Sequence, residues 1–212
     1  MSALYYCRQT TTACKGIPYP SKTHPYRYGT SGCVYTSGCG VCASLMALRN
    51  STTRVFNTRQ WTHRCLGMGA RAAEGTDMAV VARYMKEKYG MDYAITTDMD
   101  RLVAHLKQGY KAIINVSGGG KMLFSNSGHY VLAAGIDKNG NLVILDPYWY
   151  DGKFTLTAAR RKYTRVKNGR EVYVRPADLK GDVLSLWLFT PKRDVRLAYS
   201  TQDIHYLSLI HI

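Results

Sequence analysis

The chain has 212 residues, 46% of them apolar and 20% charged, enough apolar material for one core of ordinary domain size. No apolar run reaches the roughly 18 residues that a membrane-spanning helix requires. Lysine and arginine number 29 against 14 aspartates and glutamates, a formal charge of +15. A field of that sign draws a protein toward nucleic acid, acidic membrane surfaces or anionic cell-wall polymers without choosing among them.

Residues 1–30 are rich in Thr, Ser, Pro and Tyr, and Pro18, Pro20 and Pro25 interrupt any periodic pattern. They read as an extended N-terminal arm that wraps the domain. The first residues lack a basic region followed by an apolar stretch, so no secretory signal is expected and synthesis is expected in the cytoplasm. Six cysteines (Cys7, Cys14, Cys33, Cys39, Cys42, Cys65) crowd into the first third. Cys39-Gly-Val-Cys42, with His63 and Cys65 nearby, has a spacing that zinc sites use, but the second tight pair that such sites normally supply is missing. Neither a metal nor another cofactor is expected.

The segment from Cys39 to about Asn50 combines small residues with helix formers and reads as a buried helix. A second helix is signalled by the cap Thr76-Asp77, by Met78, Val81, Tyr84 and Met85 at helical spacing, and by Gly90 as a stop. A third runs from Asp98 through Leu102, Val103 and Leu106 to Gly109. The period then changes. Tyr110–Val116 is β-branched and short, a strand that ends at Gly118-Gly119-Gly120. His129–Ile136 and Asn141–Asp146 are two further strands about the turn signal Asp137-Lys-Asn-Gly140. Tyr163–Val166 and Arg170–Val174 form another hairpin about Lys167-Asn-Gly169, and Val183–Phe189 is a last strand. Helices first and a largely antiparallel sheet second is the order of an α+β domain, here residues 31–192. The remaining tail, 193–212, has no clear pattern. Its last six residues, Leu-Ser-Leu-Ile-His-Ile, resemble the translated end of a transposon adapter used in sequencing libraries, which would make the reading frame metagenomic and exclude His211 from any site.

A thiol becomes a good nucleophile when a helix N-terminus and a nearby imidazolium stabilise its thiolate. Cys39, in Ser37-Gly-Cys-Gly40 ahead of the buried helix, has the first of these. Some ninety residues on, Gly128-His129 opens a strand and Asp146-Pro147 closes its hairpin partner. A two-residue Asn139-Gly140 turn would pair Asp146 with Ala133, on the same face as His129 but four residues away. At about 3.3 Å per residue that is too far for a hydrogen bond, so a bulge or an asymmetric loop must close the gap.

Taken together, Gly-Cys-Gly, Gly-His-Tyr-Val-Leu and Leu-Asp-Pro in this order resemble the C39-like branch of the papain-like cysteine peptidases over residues 26 to 150. The resemblance implies a papain-like α+β fold, with the nucleophile helix packed on a C-terminal antiparallel sheet. It implies a cysteine peptidase with Cys39 as nucleophile, His129 as base and Asp146 as the orienting group, acting through a thioester acyl-enzyme. Cys42 is the alternative nucleophile, because papain's own cysteine closes a Cys-Gly-Ser-Cys run. Many relatives carry a Gln six residues before the nucleophile for the oxyanion hole. Here that position is Cys33.

A basic chain with a papain-like site suits a hydrolase of cell-wall peptides, such as a phage lysin that works at the wall after lysis or phage delivery. Its partners are then a peptide or peptidoglycan substrate and an anionic polymer held by the basic surface. A peptidase that processes leader peptides is a second reading. A third is a non-catalytic binder of nucleic acid, using the basic hairpin from Arg160 to Arg175 with Tyr163 and Tyr173.

Overall fold

Three helices form where their caps and apolar spacing place them. The first, Cys39–Arg49, buries every residue from Gly40 to Leu48. In Met78–Tyr89 the Asp77 carboxylate accepts the N–H groups of Ala79 and Val80, and Gly90 closes the helix in the left-handed region. In Met99–Lys107 Asp98 accepts from Asp100 and Arg101. The computed structural model describes residues 4–192, so the whole 193–212 tail, its adapter-like hexapeptide and His211 included, lies outside the described residues.

In chain order the helices are α1 (Thr12–Lys15), α2 (Val34–Ser37), α3 (Cys39–Arg49), α4 (Thr58–Gly67), α5 (Met78–Tyr89), α6 (Met99–Lys107), α7 (Ala158–Tyr163) and α8 (Pro176–Leu179). The strands are β1 (Met91–Thr96), β2 (Lys111–Val116), β3 (His129–Ile136), β4 (Leu142–Leu145), β5 (Thr164–Lys167), β6 (Glu171–Val174) and β7 (Val183–Pro191). They make one antiparallel sheet in the order β1-β7-β2-β3-β4-β6-β5. One face, with Ile113, Leu132, Leu145 and Phe189, packs against α3, α4 and α5. The other, with Ile114, Val131, Ile144 and Leu188, packs against α6. The expected α+β architecture, helices of the N-terminal half on a C-terminal antiparallel sheet, is what the chain adopts.

Residues 4–20 of the arm contribute Cys7, Cys14, Ile17 and Tyr19 to the core beneath α3. Asn50, at the end of α3, exchanges hydrogen bonds with both backbone groups of Tyr5. The arm then runs beside the segment that follows β4, where the Gln9 N–H donates to Pro147 O at 2.9 Å and the Thr10 hydroxyl donates to Trp149 O. Helix α4 has no counterpart in the sequence reading, since its apolar face is only Trp61 and Cys65. Its signal is the capping box of Asn57 and Gln60.

The β3–β4 hairpin departs from the expected two-residue turn. Its loop has three residues, with Asp137 N–H donating to Asn141 O at 2.8 Å. Gly140 alone takes positive φ, at 78°. A bulge follows: Ile136 and Gly135 pair with Leu142 and Val143, but Ala133 and Leu132 pair with Ile144 and Leu145, which leaves Ala134 unpaired. The longer loop and the bulge each slide β4 by one residue. Either alone would turn Asp146 to the face opposite His129. Together they restore the face and carry Asp146 opposite Val131, within diagonal reach of His129.

The basic segment Arg160–Arg175 also differs from a simple hairpin. Residues 158–163 are helical, and Thr157 caps them by accepting the Arg160 N–H at 3.2 Å. The Arg160 side chain is buried, and Lys162 and Lys167 lie over the rings of Tyr163 and Tyr173.

Because only Gly140 needs positive φ, Gly140→Ala should cost about 1–2 kcal/mol, while Asn139→Ala should stay within about 0.5 kcal/mol. Urea unfolding of the two variants checks the register. Equal losses would indicate a two-residue turn in which both residues are left-handed.

Candidate active site

Cys39 is the first residue of α3, where backbone N–H groups lack intrahelical acceptors. Its two glycines are demanded by close approach. A Cβ on Gly38 would lie 2.4 Å from Val34 O, and one on Gly40 would lie 2.5 Å from Thr76 Cβ. The glycines let α2 and the loop before α5 press against the helix start, so the thiol is held at a crowded junction. Among six free cysteines, Cys39 is the one with appreciable exposure.

His129 and Asp146 meet as the two register shifts allow. His129 Nε2 donates to Asp146 Oδ1 at 2.8 Å, and both side chains are buried. With Nε2 engaged, Nδ1 is the nitrogen left for the Cys39 thiol. Burial opposes the Cys39 thiolate, but hydrogen bonding and charge from His129, with the N–H groups of Tyr130 and Gly40, bring the thiol below its usual value. Burial likewise opposes the imidazolium. Asp146 and Cys39 outweigh it and push His129 up to about 9. Both shifts act in the same sense, favouring thiolate and imidazolium over thiol and imidazole.

Asp146 is completely buried. Burial favours its neutral form, yet Lys153 and His129 hold the carboxyl below the usual range. Lys153 is the residue that sequence reading missed. It sits on a 3-10 turn, Lys153–Thr155, is 2% exposed, and donates from Nζ to Asp146 Oδ2 at 2.5 Å and to Tyr148 O at 2.9 Å. A lone lysine after an Asp-Pro strand end has no distinguishing pattern in one sequence. Arg160 fastens this turn by donating to Lys153 O and to Met122 O, both at 3.2 Å. From the arm, the Tyr6 hydroxyl donates to the Asp146 backbone carbonyl at 2.7 Å.

The alternative nucleophile lies elsewhere. Cys42, three residues along α3, is fully buried in the core. Its interaction with Cys7, followed by burial, raises its thiol well above the usual value. Cys39 and Cys42 therefore face different partners. Among the described residues no group of three or more His, Cys, Asp or Glu side chains is arranged to hold a metal ion. Cys33 is fully buried beneath α2, its sulfur 3.5 Å from Thr36 Oγ1. Its side chain carries no amide to donate.

Against known families, residues 14–173 match the model of the Peptidase_C39-like family. The chain belongs to this family. Membership makes it a cysteine peptidase, in agreement with the resemblance carried by the Gly-Cys-Gly, Gly-His and Asp-Pro segments. No curated protein sequence matches it. Among solved structures it is similar to the peptidase domain of Streptococcus ComA, described as a bi-functional ABC transporter involved in a quorum-sensing pathway. That likeness has 13% identity and a TM-score of 0.47, and it covers 73% of this chain and 91% of that one.

Iodoacetamide near neutral pH should alkylate Cys39 well before the five buried cysteines in the native protein, as mass spectrometry of timed samples would register. His129→Ala should slow that labelling by about tenfold or more, since one pKa unit of lost stabilisation is a factor of ten in thiolate. Equal labelling of all six thiols would contradict an activated Cys39.

Proposed function

We propose that the chain hydrolyses peptide bonds with Cys39 as nucleophile, His129 as base and then acid, and Asp146 as the carboxylate that orients the imidazole. We further propose that its substrates are peptides of the bacterial cell wall. The observation that carries the reaction is the buried His129–Asp146 pair beside a thiol at a helix start.

The steps follow from these positions. The Cys39 thiolate attacks the carbonyl carbon, and the developing oxyanion faces N–H groups at the start of α3, that of Cys39 included. His129 gives its Nδ1 proton to the departing amine, and the C–N bond breaks to leave a thioester. Water then attacks the thioester carbonyl while His129 takes its proton, and the S–C bond breaks to release the acid and restore the Cys39 thiolate. Asp146 keeps the ring turned with Nδ1 toward the sulfur. The cell-wall assignment is supported by charge: at +15, the chain concentrates on an envelope rich in anionic polymers.

Turnover of purified peptidoglycan and of a general protein substrate by wild type, Cys39→Ala and Cys42→Ala decides both parts. Cys39→Ala should lose about 10⁴-fold or more, with Cys42→Ala retaining the reaction. Loss confined to Cys42→Ala would move the nucleophile, and turnover of the general substrate alone would refute the wall as target. For the active protein, kcat/KM should rise with pH as the Cys39–His129 pair forms its thiolate and fall on a basic limb near pH 9, both limbs belonging to the coupled pair.

A further inference from the structure

The Cys39, His129 and Asp146 side chains do not form a closed set, because a fourth ionic group completes them. The Asp146 carboxylate divides its oxygens. Oδ1 accepts from His129 Nε2 and, at 2.9 Å, from the Tyr148 N–H, while Oδ2 accepts from Lys153 Nζ. An ammonium that is 2% exposed is costly to bury, and a buried charge persists when paired and hydrogen-bonded. Lys153 meets that condition against Asp146 Oδ2 and Tyr148 O, with the rings of Tyr148 and Phe154 about its head at 5.3 and 5.6 Å.

We propose that Lys153 is a positioning residue of the peptidase, whose ammonium balances the charge of the buried row Cys39–His129–Asp146 and so sets the pH at which the thiolate forms. The inference rests on the proposed roles of those three residues. With thiolate, imidazolium, carboxylate and ammonium alternating in sign, the row is neutral. Without the ammonium it carries a net negative charge beside the buried Asp146, and it then holds its protons more tightly. The proton that leaves first, from the Cys39 thiol beside the imidazolium, comes off at higher pH.

The other ionisable groups that face the row do not replace Lys153. Tyr6 on the arm and Tyr19 are both pushed upward, chiefly by burial, and stay neutral. Tyr130, raised to about 12 by burial and Cys39, is neutral too. Arg160 and Arg71 keep their charge but make no ion pair with Asp146: Arg160 donates to Met122 O and Lys153 O, and Arg71 to carbonyls of Tyr19, Ala72 and Gly75. Lys153 is itself pulled below its usual value by burial, with Asp146 opposing.

The test follows Cys39 alkylation by iodoacetamide against pH, and kcat/KM on the substrate that the wild type turns over, in wild type, Lys153→Met and Lys153→Met/Asp146→Asn. In Lys153→Met the acid limb should move up by about one to three pH units. The double variant restores a neutral row of thiolate and imidazolium. Its acid limb should return toward the wild-type position, although its maximal rate falls for want of the orienting carboxylate. Should Lys153→Met fail to fold, the double variant carries the test alone: a folded protein with a limb near the wild type supports charge balance, and a limb displaced upward overturns it. A folded Lys153→Met whose rate drops with no movement of the limb reduces Lys153 to packing. A wild type whose Cys39 reacts no faster than its other thiols overturns the proposed nucleophile instead, a result separate from any behaviour of Lys153.

Discussion

A carboxylate with no exposure to water dictates much of the architecture around it. Asp146 lies completely buried at the end of β4, where an unpaired charge would be driven to its neutral form. It stays ionised because donors arrive from three directions: His129 from the neighbouring strand, the Tyr148 N–H from its own turn, and Lys153 from the 3-10 turn beyond. Each donor is placed by something further out. The three-residue loop and the Ala134 bulge bring His129 into diagonal reach. Arg160 clamps the carbonyl of Lys153, and the arm closes over the backbone of Asp146 and Pro147 through Tyr6 and Gln9.

The second half of the site depends on how closely α3 can approach this arrangement. Nine of the eleven helix residues are buried, so α3 belongs to the core and its start cannot drift without moving that core. Trp61 on α4 adds a polar fastening, its indole N–H donating to Ser44 Oγ at 2.9 Å in a fully buried setting. The glycines about Cys39 remove the atoms that would keep α2 and Thr76 away. Rigidity at Cys39 is thus a product of packing on one side and of missing side chains on the other. Electrostatics supplies only the last adjustment, the transfer of a proton between sulfur and ring.

What was legible in the sequence follows the range of the interaction concerned. Caps, stops and apolar spacing act over three or four residues, so α3, α5 and α6 could be read directly, as could β2, β3, β4 and the β5–β6 hairpin. The chain order of glycine-flanked Cys39, His129 and Asp146 exposed the family, and the failure of a simple register to join Asp146 to His129 already demanded an irregularity in the hairpin. Its form could not be read: an Asn-Gly pair serves a two-residue and a three-residue turn alike, and Gly135, a glycine inside a strand, hints at a bulge without saying that Ala134 is the residue left unpaired. The place of β7 between β1 and β2 and the pairing of Lys153 with Asp146 are tertiary facts. One lysine among a formal excess of fifteen positive charges reads as surface until the fold buries it.

Cys39 and Cys42 show how little of this chemistry resides in residue type. They lie on consecutive positions of one face of the same helix, less than one turn apart. Cys42 looks into the core, meets Cys7 and apolar walls, and has its thiol raised well above normal, first by Cys7 and then by burial. Cys39 suffers burial too, but a charged ring and two backbone N–H groups reverse the sign. A thiolate needs a compensating charge more than it needs water. That charge is an imidazolium only because a carboxylate lies behind it, and the carboxylate persists in the interior because it is paired on both sides. The reactivity of the thiol at the helix start is therefore a property of the whole row, reaching from α3 across β3 and β4 to the turn that carries Lys153.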